Sequence, residues 1–219
     1  MRALVVMHDR LSLPGLIGER AEERGFELVG HVPAEDGPLP APEAFDAVIP
    51  MGSPWSVYGP EVAGWIEDEL GLLRLAVERD VPVFGVCFGA QAFAKAMGGE
   101  VRKGDVAEVG FHEVRTDAPD VVPPGPWFMW HGDTFTPPPG ARVLATTDAG
   151  PQAYAFGRHL LVHFHPEVRE DIVRMWLGKD VEAPQRYGFD ADELLADIRA
   201  RSDGSRARAA ALFDRFLDG

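Results

Sequence analysis

A single cysteine, Cys87, occurs in 219 residues, so no disulfide can close within the chain, and the sequence reads as that of a reduced, cytoplasmic protein. No apolar run approaches the roughly 20 residues of a membrane-spanning helix, and the apolar part of the opening "MRALVVMHDR" is too short for a signal peptide. Basic residues are few: 21 Lys and Arg stand against 35 Asp and Glu, a formal net charge of -14. Nucleic acid and anionic membrane surfaces would both be repelled, which leaves small molecules or another protein as partners. Repeats and low-complexity segments are absent, and "PGPW" and "TPPPG" are too short to link domains.

What is present suits one sizeable core. With 46% hydrophobic residues, the expectation is one domain over residues 1–219, residues 185–219 forming a helical C-terminal extension packed on it. "RALVVM" is a β-branched apolar run of the kind buried on both faces of a sheet, and "LIGERAEERGFELVGHV" follows as a helix stopped by Gly25 and a second strand. "PAEDGPLPAP" reads as a loop, "FDAVIPM" as a third strand, "EVAGWIEDELGLLRLAVERD" as an amphipathic helix with a solvated acidic face, and "VPVFGV" as a fourth strand. This alternation predicts an α/β, flavodoxin-like, doubly wound and mostly parallel sheet. After Gly99 the strand-like pieces "EVGFHEVRT", "PWFMWHGDTF", "ARVLATT" and "QAYAFGRHLLVHFH" predict added antiparallel hairpins. The tail is helical, with Asp190 and Ser205 as N-caps. If "PWFMW" is a strand, its aromatics should alternate between core and cleft. Trp65 reads as a packing aromatic.

Cys87 lies in "GVCFG", between an apolar strand and the helix-like "FGAQAFAKAM". That is the setting of a nucleophile elbow, in which the nucleophile takes a strained backbone conformation and glycines two residues away avoid its clashes. Gly85 and Gly89 meet that demand, and the helix N-terminus would favour the attacking thiolate. The competing reading is a small buried hydrophobe. A thiolate needs a base, and "LLVHFHPEV" offers one. Strand alternation puts His163 and His165 on one face, Pro166 ends the ladder, and Glu167 just beyond it is placed to orient an imidazole. His165 is the candidate base, Glu167 its orienter, and His163 a structural histidine. H-x-H is also a chelating pattern, but no further ligand at familiar spacing completes a metal set.

Together, "GVCFGAQ", "HFHPE" and "MGSPWSVYG" resemble, in order, the motifs of the class I glutamine amidotransferase family. The resemblance spans about residues 1–180 and is best with stand-alone members similar to the glutaminase part of GMP synthase, which also carry "HGD". It implies hydrolysis of glutamine through a glutamyl thioester, with Cys87 as nucleophile, His165 as acid and base, and Glu167 as the third triad member. It places oxyanion donors at the backbone N–H of Phe88 and of Ser53, the residue before Pro54. The family usually has glycine at that last position, so Gly52 stands as the alternative donor. Gln91, and the segment Trp130, His131, Gly132 and Asp133, correspond to substrate-binding positions, although His131 also reads as a turn residue. Ala90 stands where His or Met is common, and His163 where Gln is common.

The resemblance implies no cofactor and no metal. The leading function is release of ammonia from glutamine for a separate synthase, since no ATP-grasp or P-loop segment is visible in these residues. Such an enzyme is expected to be slow until a synthase reorganises the "MGSPWSVYG" loop. The alternative is hydrolysis of a γ-glutamyl amide or peptide by the same triad, favoured by an open pocket near residues 55–60 and 127–133. A non-catalytic binding paralogue has no need of the intact Cys, His and Glu, and a generic thiol hydrolase of the wider fold does not require "HPE" after the last strand.

Overall fold

The computed structural model describes residues 1–219. Its element order is β1 (Arg2–Val6), α1 (Gly15–Glu23), β2 (Glu27–His31), α2 (Pro33–Asp36), β3 (Ala47–Pro50), α3 (Ile66–Glu78), β4 (Phe84–Val86), α4 (Phe88–Ala96), β5 (Glu100–Glu113), β6 (Arg115–Thr116), β7 (Pro126–Thr136), β8 (Arg142–Thr147), β9 (Gly150–Phe156), β10 (His159–Val162), α5 (Glu170–Lys179), α6 (Ala183–Tyr187), α7 (Ala191–Ala200) and α8 (Ser202–Asp218).

The apolar runs read from the sequence become parallel strands in the order β2-β1-β3, and β4 pairs in parallel with β10. The Val48–Val83 bridge joins the two sets, giving the parallel order β2-β1-β3-β4-β10 of a flavodoxin-like sheet. The antiparallel strands β9, β8 and β6 extend it beyond β10. The long strands β5 and β7 form a separate antiparallel ribbon whose register shifts between Lys103 and Glu108. One face of the sheet packs against α1 and α8, where Ile17, Ala21, Ala209, Leu212 and Phe213 are fully buried. The other face takes α3 and α4, and seven of the nine α4 residues are buried, the alanines letting the helix lie close to the strands.

The structure departs from the sequence reading at several places. The segment read as a loop after β2 contains the short helix α2, with Pro33 at its first position and Asp36 Oδ2 accepting the Val32 N–H at 2.8 Å. The helix expected from Glu61 starts at Ile66, behind a 3₁₀ turn over Pro60–Val62. Asp190 is an N-cap, accepting the Glu193 N–H at 2.9 Å, but Ser205 is not: α8 begins at Ser202, and the Ser205 N–H bonds to the Arg201 carbonyl. In β7 the expected alternation fails. Trp127, Phe128 and Met129 are all buried, because α5 and α7 cover Phe128 on the face opposite the main core. Finally, β10 ends at Val162, so His163 and His165 lie past the ladder. The reason is local: β4 turns into the elbow at Cys87, whose N–H takes the Val162 carbonyl as its last partner.

Candidate active site

Four segments at the carboxyl ends of parallel strands meet in one cleft of about 920 Å³: those following β1, β3, β4 and β10. This is where open α/β sheets place their ligands. All eleven residues singled out from the sequence line it, namely Gly52, Ser53, Cys87, Phe88, Gln91, Trp130, His131, Gly132, Asp133, His165 and Glu167.

Cys87 has φ 49° and ψ -104°, and apart from Asp80 it is the only non-glycine residue with positive φ. Strain of this kind persists only where the surroundings fix it. They do so here: the Cys87 N–H bonds to the Val162 carbonyl and the Gly89 N–H to the Met51 carbonyl. Both flanking glycines are required by close approach. A Cβ at Gly85 would stand 3.1 Å from the Ala90 nitrogen, and one at Gly89 only 2.2 Å from the Pro50 carbonyl oxygen. Cys87 caps α4, and the Phe88 N–H at the first helical position has no partner in the protein.

His165 is fixed by its backbone N–H, which donates to the Phe128 carbonyl at 2.7 Å, and by its ring, which meets Trp176 edge-on at 5.2 Å. Its Nδ1–H donates to Glu167 Oε1 at 2.7 Å, while Nε2 is buried without a hydrogen-bond partner in the resting protein. Burial alone would push this imidazole down, but the Glu167 carboxylate, then Cys87 beside it, lift it well above its ordinary value. Glu167 is 1% exposed. Its backbone carbonyl accepts the Leu16 N–H at the start of α1, and the space beside it is filled to the point that a Cβ on Gly15 would come within 2.0 Å of that oxygen.

Ser53 adopts an ordinary backbone conformation, since neither it nor Gly52 has positive φ. Its hydroxyl accepts the Trp55 N–H at 3.1 Å, closing the turn of the loop after β3. Gly52 is glycine for another reason: a Cβ there would stand 3.0 Å from His165 Cε1 and 3.8 Å from Cys87 Cβ.

The supporting residues divide. Asp133 accepts from Ser56 Oγ at 2.6 Å and Tyr58 Oη at 2.9 Å, bracing the far wall of the cleft. His131 is not in a turn. It sits within β7, 7% exposed, stacked on His163 at 3.7 Å. Gln91 joins that stack through a 2.8 Å contact between its Nε2 and His163 Nε2. Burial, then neighbouring histidines, hold His163 well below its ordinary value, and burial, then His165, bring His131 down to about 3. Both rings are therefore neutral at physiological pH. Trp65 packs in the core as expected, whereas Trp55 and Trp130 line the cleft.

Sequence reasoning passed over His8 and Glu69. His8 follows β1, and its Nε2 meets both Glu69 oxygens, at 3.1 and 3.0 Å, with no exposed side-chain surface on either partner. Glu69 thus contradicts the solvated acidic face expected for this helix. The signal was its spacing, three residues beyond Ile66 and next to Leu70 on the stripe that α3 buries.

The sequence matches the family described as "Glutamine amidotransferase class-I" over residues 25–172. It is 32% identical to GMP synthase (glutamine-hydrolyzing) of Corynebacterium jeikeium over 95% of this chain and 41% of that protein. It is also 32% identical to a GMP synthase (glutamine-hydrolyzing) subunit of Sulfolobus acidocaldarius, over 66% of this chain and 78% of that one. The chain spans well under half the length of the full GMP synthases it matches, 33% in the case of Aeropyrum pernix. Among solved structures, a glutamine amidotransferase from Methylobacillus flagellatus superposes with a TM-score of 0.88 at 27% identity, covering 99% of this chain and 94% of that one. A second, from Thermotoga maritima, shares the fold at 0.91 and 22% identity over 100% and 99% of the two chains.

Proposed function

The chain belongs to the class I glutamine amidotransferase family, and from that membership and the geometry of the cleft we propose that it hydrolyses the γ-amide of glutamine through a thioester on Cys87. The observation that carries this reading is the strained Cys87 beside a buried His165 whose Nε2 has no partner and whose Nδ1 is tied to Glu167.

The Cys87 thiolate attacks the amide carbon and forms the C–S bond. The carbonyl oxygen takes the negative charge within reach of the Phe88 and Ser53 N–H groups, neither of which has a partner in the protein. His165, whose protonated form the Glu167 carboxylate favours, gives its Nε2 proton to the amide nitrogen, the C–N bond breaks, and ammonia leaves. The now neutral imidazole then takes a proton from water, which attacks the thioester. The C–S bond breaks and glutamate is released. Glu167 holds the ring and stabilises its charge throughout. Gln91 and the β7 segment from Trp130 to Asp133 hold the amino acid end of the substrate. The ammonia goes to a synthase, as a separate chain or domain. No helix is long and apolar enough to cross a membrane.

One observation favours a second reading. A cleft of about 920 Å³ lies near the top of the roughly 300–1,000 Å³ that accommodates drug-sized ligands, and Trp55, Tyr58, Trp176 and Tyr187 line it beyond the cysteine. That room suits a γ-glutamyl amide or peptide with a larger leaving amine, cleaved by the same steps. Assaying glutamine against γ-glutamyl amines, with ammonia and glutamate measured separately, decides between them. Glutamate with equimolar ammonia from glutamine supports the first reading, and glutamate without ammonia from a γ-glutamyl amine supports the second.

A further inference from the structure

His8 and Glu69 form a buried pair that touches neither the sulfur nor the His165 imidazole, yet reaches the oxyanion loop. His8 Nδ1 donates to the Gly52 carbonyl at 2.9 Å, and Nε2 is held by both Glu69 oxygens. The ring lies between Trp65, stacked at 5.5 Å, and Phe88 at 4.3 Å. Burial would push this histidine down, but Glu69 raises it above its ordinary value; a carbonyl on one side and a carboxylate on the other are both acceptors, so both nitrogens donate. Such a pair adds little stability over well-packed apolar side chains, since its desolvation cost offsets its attraction. Its geometric effect is specific. The Gly52 carbonyl and the Ser53 N–H belong to one planar trans peptide and point in opposite directions. Holding the carbonyl toward His8 therefore turns the Ser53 N–H the other way.

We propose that His8, anchored by Glu69, is a positioning residue that fixes the Gly52–Ser53 peptide with its N–H turned into the oxyanion site. The donor is then Ser53 rather than Gly52. The orientation of this peptide is set by the chain's own residues, through the His8 Nδ1–Gly52 carbonyl hydrogen bond. This inference rests on the hydrolytic reading of Cys87 for its kinetic consequence, but not for its structural one.

Two substitutions separate positioning from simple filling of space. The amide nitrogen of His8→Asn reaches the place of Nδ1 and can still donate to Gly52. That of His8→Gln reaches the place of Nε2 and cannot. Expected kcat for the Asn variant is within about tenfold of the parent, while the Gln variant loses about 10²- to 10³-fold, as on loss of an oxyanion donor, with KM little changed in either. On the resting proteins, backbone NMR should show the Gly52 carbonyl and Ser53 amide resonances moved in His8→Gln and near their parent positions in His8→Asn. Glu69→Gln, nearly isosteric, should move the same resonances and lower kcat, and it carries the test should either His8 variant fold poorly. Equal kcat in the Asn and Gln variants, or unmoved Gly52 and Ser53 resonances in His8→Gln and Glu69→Gln, would overturn the proposal. If the parent cleaves no γ-glutamyl amide, the functional reading fails, and the resonances alone still decide the clamp.

Discussion

Replacing Gly52 by alanine should cost activity through the imidazole, without touching the sulfur or any donor. The added methyl would stand 3.0 Å from His165 Cε1, against an optimum of about 3.5–4.0 Å between carbon atoms. The backbone there has no positive φ to strain, so the ring must give way by about 0.5–1 Å. It cannot do so freely: its Nδ1 is tied to Glu167 at 2.7 Å, and its far side meets Trp176. The shift therefore falls on Nε2, the atom facing the cysteine. A misplacement of about 1 Å at a reacting group costs on the order of 10²-fold in rate. The assay is kcat and KM for the preferred γ-glutamyl substrate, with thermal unfolding measured alongside. The expected result is a loss of about 10²-fold in kcat with a thermal midpoint near that of the parent. A variant that keeps parental kcat would refute the claim that Gly52 is glycine to make room for the His165 ring.

Cys87→Ala should abolish turnover while preserving the fold, which circular dichroism and activity together will show. His165→Ala should lower the chemical step by roughly 10²- to 10⁴-fold, Glu167→Gln by less, and His163→Gln only slightly, as measured by single-turnover kinetics. Acid stability offers an independent check. His163 folds as a neutral ring held well below its ordinary value of 6.5, so the unfolded chain binds the extra proton. Stability is fully present above about pH 6.5 and is lost as pH falls toward the folded value. His165 and His8, both raised, act at the other end, losing their contribution only as pH rises through their folded values. In denaturant titrations below pH 6, His163→Gln should therefore flatten the fall of stability by up to about 1.4 kcal/mol per pH unit. A slope equal to the parent's would mean that His163 carries its proton in the folded state.

The parts legible in the sequence are those whose physics is local. The elbow announces itself because strain at one residue demands glycines two positions away, and the clashes a Cβ would meet at Gly85 and Gly89 are those the motif avoids. The parallel strands β1, β3, β4 and β10 were legible because burial on both faces removes polar residues from them. His165 and Glu167 were readable as a pair because only Pro166 separates them, although the strand face assigned to His165 was wrong: the ladder stops at Val162, and the pair forms in the turn beyond. Contacts between distant segments left weaker traces. His8 and Glu69 are 61 residues apart, and only the carboxylate on the buried stripe of α3 hinted that it needed a partner. The stack of His131 on His163 joins β7 to the bend beyond β10, and neither local sequence carries a sign of it. The covering of Phe128 by α7 likewise depends on a helix more than 60 residues downstream, so the pattern of β7 alone suggested an open face.

The central claim is that Cys87 carries the glutamyl group during turnover. Acid-quenching the protein within its first turnover on its preferred γ-glutamyl substrate, then mapping peptides by mass spectrometry, should find a glutamyl adduct on the Cys87 peptide. The adduct should be absent from Cys87→Ala and should accumulate in His165→Ala only at that variant's slower rate. Turnover without an adduct on any peptide, or an adduct at another residue, would contradict the account.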